Sequence, residues 1–152
     1  MPALTAVTLD ELYAPFRPRL ARIVTLVMAV VVVLGTVVVI VSIPELGPAD
    51  QIGFALLCLL IVWFCWRQFS VAATPSADGL VVRNLMITTR LAWAEVVSVR
   101  FGSGRPWVQL DLADGDTLAV MGVQRADGER AVAEARRMAT LVAQHTATQR
   151  DD

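Results

Sequence analysis

Two stretches of this chain, residues 23–43 and 52–66, contain no charged side chain, and that fact limits the folds open to it. The first is dominated by valine, with Gly35 and a few Thr and Ser as its least apolar members. As a helix it is about 31 Å long, which matches a hydrocarbon core of about 30 Å. In water the valines would favour a strand. In lipid an isolated segment must satisfy its own backbone hydrogen bonds, and only a helix does so. The second stretch extends to about Phe69, with Trp63 and Trp66 as an aromatic belt and Arg67 placed to snorkel. Pro44, Gly47 and Pro48 break the chain between them. The expectation is a two-helix transmembrane hairpin over 23–43 and 52–70, joined by an external turn at 44–51.

Composition agrees. Of 152 residues, 56% are apolar and 18% charged, below the roughly 25% charge of an average soluble domain. The 13 basic and 14 acidic residues nearly cancel, so no nucleic-acid footprint is present and no nucleic-acid partner is expected. Every basic residue is Arg, which excludes a lysine Schiff base or a P-loop lysine and suggests a high-GC bacterial genome. Cys58 and Cys65 lie seven apart, about 10 Å along one helix face, too far for a disulfide, and read as small buried hydrophobes.

Arginine placement orients the hairpin. Arg17, Arg19 and Arg22 precede the first span and Arg67 ends the second, whereas the turn carries Glu45 and Asp50. The positive-inside rule then puts both termini in the cytoplasm, in a multi-pass protein of a bacterial plasma membrane. Arg19, Arg22, Trp63, Trp66 and Arg67 are the expected interface anchors, and Gly35, Gly53 and Ala55 the points of close helix approach. Residues 1–22 form an N-terminal cytoplasmic or interfacial segment, with a capping-box spacing at Thr8 and Glu11 and a stop at Pro15 and Pro18.

From Val71 the period changes to two. Leu80 and Val82, then Ile87, Thr89 and Leu91, then Val97, Val99 and Phe101, then Val108, Leu110 and Leu112, and last Leu118 and Val120 each alternate with polar or outward residues. Turn signals separate them at Asp78-Gly79, Asn84, Gly102-Ser103-Gly104 and Asp114-Gly115-Asp116. The pattern predicts an antiparallel meander with one apolar face. A helix capped by Asp127 follows, its stripe formed by Ala131, Ala135, Met138 and Val142. The fold class is therefore α+β, with a domain at 71–146 and a polar tail at 147–152.

The order of strands, Trp-Ala-Glu-Val, more strands and one C-terminal helix resembles the bacterial pleckstrin-homology-like domains. The segments Asp78-Gly79-Leu80-Val81-Val82-Arg83-Asn84 and Leu91-Ala92-Trp93-Ala94-Glu95-Val96 carry the likeness. It is greatest to small actinobacterial membrane proteins in which a two-helix hairpin precedes the domain, and covers about residues 20–145. The resemblance implies a small PH-like β-barrel or sheet closed by the helix, with Trp93 in a structural role at the barrel edge. Relatives that bind phosphoinositides place basic residues in the first strand-to-strand loop. The loop Pro75–Gly79 has none, so that function does not carry over.

Signals for catalysis are poor. His145 is the only histidine and sits near a helix C-terminus, where the helix dipole favours it without any chemistry. One histidine cannot supply paired haem ligation. Asp111, Asp114 and Asp116 superficially resemble a calcium loop, but the spacing is wrong and a hairpin turn explains them. No catalytic residue, metal ligand, cofactor or small-molecule substrate is expected. The sharpest candidate for interaction is Arg100, Arg105 and Trp107, with Trp107 on the face opposite Val108 and Leu110.

The expected function is that of a non-catalytic accessory or scaffolding subunit of a larger membrane complex, with other membrane subunits and the bilayer as partners. The resemblance offers an actinobacterial respiratory cytochrome oxidase assembly as one such complex. The alternative is a lipid- or peptide-binding module at the inner leaflet, using Arg83, Arg90, Arg100 and Arg105.

Overall fold

The computed structural model describes residues 9–102 and 104–148, so Thr8, Ser103 and residues 149–152 lie outside the described part. The chain divides into two compact units, one of residues 19–70 and one that combines the flanks on either side.

The first unit is a helical hairpin of α2 (Arg19–Ser42) and α3 (Pro48–Phe69). A short helix, α1 (Leu9–Leu12), precedes it in the chain. Pro18 stands just before α2, and α3 opens on Pro48, where a missing N–H costs nothing. The Gly47 N–H donates to the Asp50 carboxylate at 3.2 Å, and the Ser70 hydroxyl donates to the Arg67 carbonyl at 2.8 Å at the other end. The Thr25 and Thr36 hydroxyls each return a hydrogen bond to the carbonyl four residues back, the arrangement an apolar medium demands.

Both helices are long and apolar enough to cross a membrane. Their side chains are not a hidden core: α2 has no buried residue, and Cys65 is the only one in α3. Exposed apolar surface on this scale points to membrane association. The helices pack together, but Gly35 and Gly53 face open space, with no atom within 4 Å of a Cβ built on either. Small residues alone did not locate the seam, because other side chains make it.

The second unit holds two separate three-stranded antiparallel sheets, β1 (Ala72–Pro75), β2 (Gly79–Arg83) and β3 (Thr88–Ala92), then β4 (Val96–Arg100), β5 (Trp107–Leu112) and β6 (Thr117–Gln124). The α+β architecture agrees with the sequence pattern, but the sheets do not close into a barrel. A 3-10 turn, Trp93–Glu95, leads from one sheet to the other, and a second, Arg125–Asp127, leads to helix α4 (Glu129–Thr148). The helix starts two residues past Asp127 because Gly128, at φ +61°, redirects the chain. Val82, Leu91, Val96, Val108, Leu110 and Val120 meet Met138, Leu141 and Val142 of α4 in one core.

A bulge in β4 changes the expected facing. The register shifts between Val96 and Ser98, so Val96 points into the core and Val97 is 64% exposed. Ile87, expected on the apolar face, precedes β3 and is exposed as well.

The N-terminal flank is part of this domain. Phe16 is fully buried and exchanges two backbone hydrogen bonds with Ala73, at 2.8 and 2.9 Å. Arg137 of α4 holds the same segment, its Nη1 donating to the carbonyls of Glu11, Leu12 and Ala14 at 2.9, 2.9 and 2.7 Å. Its guanidinium also lies 3.8 Å from the Phe16 ring centre and pairs with Glu134. Gly122 lets β6 pass this junction, since a Cβ there would sit 2.9 Å from both the Ala73 nitrogen and the Phe16 oxygen.

Arg137→Ala removes every one of these donors from a part-buried site, and the expected loss of stability is about 3 kcal/mol. Hydrogen exchange will show it as faster exchange of the Phe16 and Ala73 amides, while the α2 and α3 amides keep their protection.

Candidate functional site

The polar outer face of the second sheet gathers the candidates from β4 and β5. Asp111 on β5 is opposite Ser98 on β4, and Gln109 is opposite Arg100. The Arg100 guanidinium pairs with Asp111 Oδ1, the Ser98 hydroxyl donates to Asp111 Oδ2, and Arg105 Nη1 donates to Gln109 Oε1. Trp107, half-buried at the start of β5, pairs with Gln124 of β6. The fold thus brings Arg100 and Trp107 to one strand pair and Arg105 to the loop that joins it, but both guanidinium groups already have partners. Arg83 and Arg90 lie on the other sheet, so the four arginines do not share one sheet face.

The Ser98 hydroxyl holds the Asp111 carboxyl below the ordinary 3.8; partial desolvation, next in weight, opposes it, and the hydrogen bond and charge of Arg100 and the charge of Arg105 add to the lowering. Asp114 and Asp116 do not join it as a ligand set. The Asp114 carboxylate accepts the Asp116 N–H at 2.9 Å, and Gly115 at φ +91° completes the hairpin turn. Among the described residues no group of three His, Cys, Asp or Glu side chains is placed to hold a metal.

Trp93 is almost fully buried, and its indole N–H donates to the Ser76 carbonyl at 2.9 Å. His145 stacks on it with ring centres 4.7 Å apart and planes 3° apart, and its Nε2 is 2.7 Å from the Tyr13 hydroxyl. His145 therefore joins α4, the first 3-10 turn and the N-terminal flank, rather than facing solvent at a helix end. One flat face and one nitrogen are engaged in stacking and hydrogen bonding, a structural arrangement.

The residues expected as interface anchors are at the ends of α2 and α3 nearest the chain's two flanks. Arg22 stacks over the Phe69 ring at 4.1 Å, and Trp66 stacks on Phe69 at 6.5 Å. Trp63 and Trp66 are exposed, as is Arg19, and Arg67 is half-buried.

A second surface escaped the sequence reading. Val97, Ser98 and Val99 of β4 and Ala139, Val142, Ala143 and Thr146 of α4 line a groove of about 350 Å³. β4 is the outer strand of its sheet, so it has a strand neighbour on one side only. Ala139 and Ala143, one helical turn apart, are too small to fill the space. The legible signal was that pair of alanines, next to the Met138 and Val142 stripe.

Above its depressed value the Asp111 carboxylate stabilises the fold, and that contribution is lost as pH falls through it. NMR titration of the Asp111 carboxyl is expected to give a midpoint below 3.8, and Ser98→Ala to move it upward.

Residues 70–140 match the family described as the bacterial PH domain. Uncharacterized proteins of Mycobacterium bovis and Mycobacterium tuberculosis are 33% identical to this chain over 97 residues, 64% of its length. The matched region spans 63% of the length of those relatives. No solved structure matches the chain. The two sheets, the Trp93 turn and the closing helix agree with that match, and residues 70–140 are similar to the bacterial PH domain.

Proposed function

We propose that this chain is a membrane-anchored, non-catalytic docking module, an accessory or scaffolding subunit of a larger membrane complex. The observation that carries the reading is the composition of the folded domain. Residues from before and after the apolar hairpin form one core, so both flanks must be on the same side of any bilayer the hairpin enters. A hairpin whose ends return to one side crosses twice. The Arg17, Arg19, Arg22 and Arg67 bias favours the cytoplasm as that side, with Glu45 and Asp50 in the external turn.

The β4–α4 groove supports a protein partner. An outer strand can extend its ladder with one more strand, and the exposed Val97 and the small α4 residues leave room for alternate side chains of an extended segment. The segment we propose belongs to a neighbouring membrane subunit, and a respiratory cytochrome oxidase is one such host. The headgroup-binding reading has less support, since Arg100 and Arg105 are engaged with Asp111 and Gln109.

Pull-down of the full-length chain in mild detergent, followed by mass spectrometry, tests this. The expected outcome is a stoichiometric membrane partner, with haem absorbance if the host is an oxidase. Val97→Arg should reduce recovery about tenfold with little change in stability, because the side chain is exposed. Recovery of the chain alone, together with salt-sensitive binding to anionic vesicles that Arg100→Ala and Arg105→Ala abolish, would transfer the function to lipid binding.

A further inference from the structure

The hairpin carries an apolar groove with a cation at one end. Thr25, Leu26 and Ala29 of α2 and Val62, Cys65, Trp66 and Phe69 of α3 line a space of about 260 Å³. It extends about 10 Å along α3, the axial distance from Val62 to Phe69. Because the helices are antiparallel, Thr25 and Phe69 are at the end nearest the flanks, and Ala29 and Val62 lie deeper in the apolar stretch. Thr25 turns its hydroxyl away to the Ala21 and Arg22 carbonyls, so the groove wall is hydrocarbon and aromatic.

Arg22 stands one turn above Thr25 and Leu26 and lies flat over Phe69, which is itself part of the wall. Its Nε is buried without a hydrogen-bond partner, and among the described residues the ion pairs are Arg100–Asp111 and Arg137–Glu134, with none at Arg22. The acids of this unit, Glu45 and Asp50, are at the opposite end of the hairpin, and Asp50 is engaged with Gly47. A stacked, partly desolvated guanidinium without an anion lacks the group it is built to meet.

We infer that this end of the hairpin is a binding site for one anionic glycerophospholipid, with its phosphate on Arg22 and the upper part of an acyl chain along the groove. The inference rests on the membrane-spanning reading of the hairpin. The order of polarity favours this occupant over a neighbouring helix: a cation at the interfacial end, then aromatic edges, then hydrocarbon toward the interior. A zwitterionic lipid would bring its own cation to the same guanidinium and gain less.

Native mass spectrometry of the full-length chain, offered phosphatidylglycerol or phosphatidylcholine in mild detergent, tests the site. Retention of one phosphatidylglycerol is expected, reduced about tenfold by Arg22→Gln through loss of one charge-assisted contact. Ala29→Phe, which fills the groove and keeps Arg22, should also expel the lipid. Arg67→Gln removes the same charge outside the groove and should leave retention nearly unchanged. Equal retention of both lipids, equal loss from Arg67→Gln and Arg22→Gln, or a protein in place of the lipid would overturn the site. Extraction of the chain from membranes by alkaline carbonate would instead overturn the membrane-spanning reading, so the two failures are distinguishable.

Discussion

Arg137 holds the folded domain together at its least obvious joint. One guanidinium satisfies three carbonyls of the segment Glu11 to Ala14, covers the Phe16 ring and has its charge balanced by Glu134. Those carbonyls belong to a short helix end and the irregular chain after it, where no strand or following helical turn would supply donors. With them bound, Phe16 can lie fully buried beside Ala73, and β6 can approach through Gly122. The folded domain here is completed by residues that precede the hairpin in the chain.

The polar and apolar surfaces divide the work. On the outside of the second sheet, Ser98, Arg100, Arg105, Gln109 and Asp111 satisfy one another, which leaves few charges for an external ligand. Around the edge of the same sheet, the β4 bulge turns Val97 outward and α4 presents Ala139, Val142, Ala143 and Thr146 beside it. One strand thus carries a self-contained polar network on one face and an incomplete apolar edge next to it. Incomplete edges are where a second chain gains most on contact.

Much of this was legible from residue order. The uncharged runs implied the helices, period-two alternation implied five of the six strands, and Trp-Ala-Glu-Val located the turn between sheets. Trp93, expected at a barrel edge, lies buried against His145 of α4 and the Ser76 carbonyl. What stayed hidden depends on long-range contact. The partner of Arg137 lies more than 120 residues away in sequence, as does that of His145, and nothing local to Glu11–Phe16 signals burial. The bulge at Val97 was equally invisible, because one extra residue reverses the facing of a strand without altering its composition. Gly35 and Gly53 misled for a related reason, since a glycine permits close approach but does not require it.

A domain assembled from both sides of a hairpin has a fixed order of birth. Phe16 leaves the ribosome first, then both apolar helices, and Arg137 arrives 121 residues later, roughly 6–24 s at ordinary synthesis rates. Throughout that interval the N-terminal flank has no core to join, so the apolar hairpin is complete before the domain can close. A chain that inserted only one helix would leave the two flanks in different compartments, where Phe16 and Ala73 could never meet. Under the membrane-spanning reading proposed above, completion of the fold is a check on correct insertion, made by the chain itself without an external sensor.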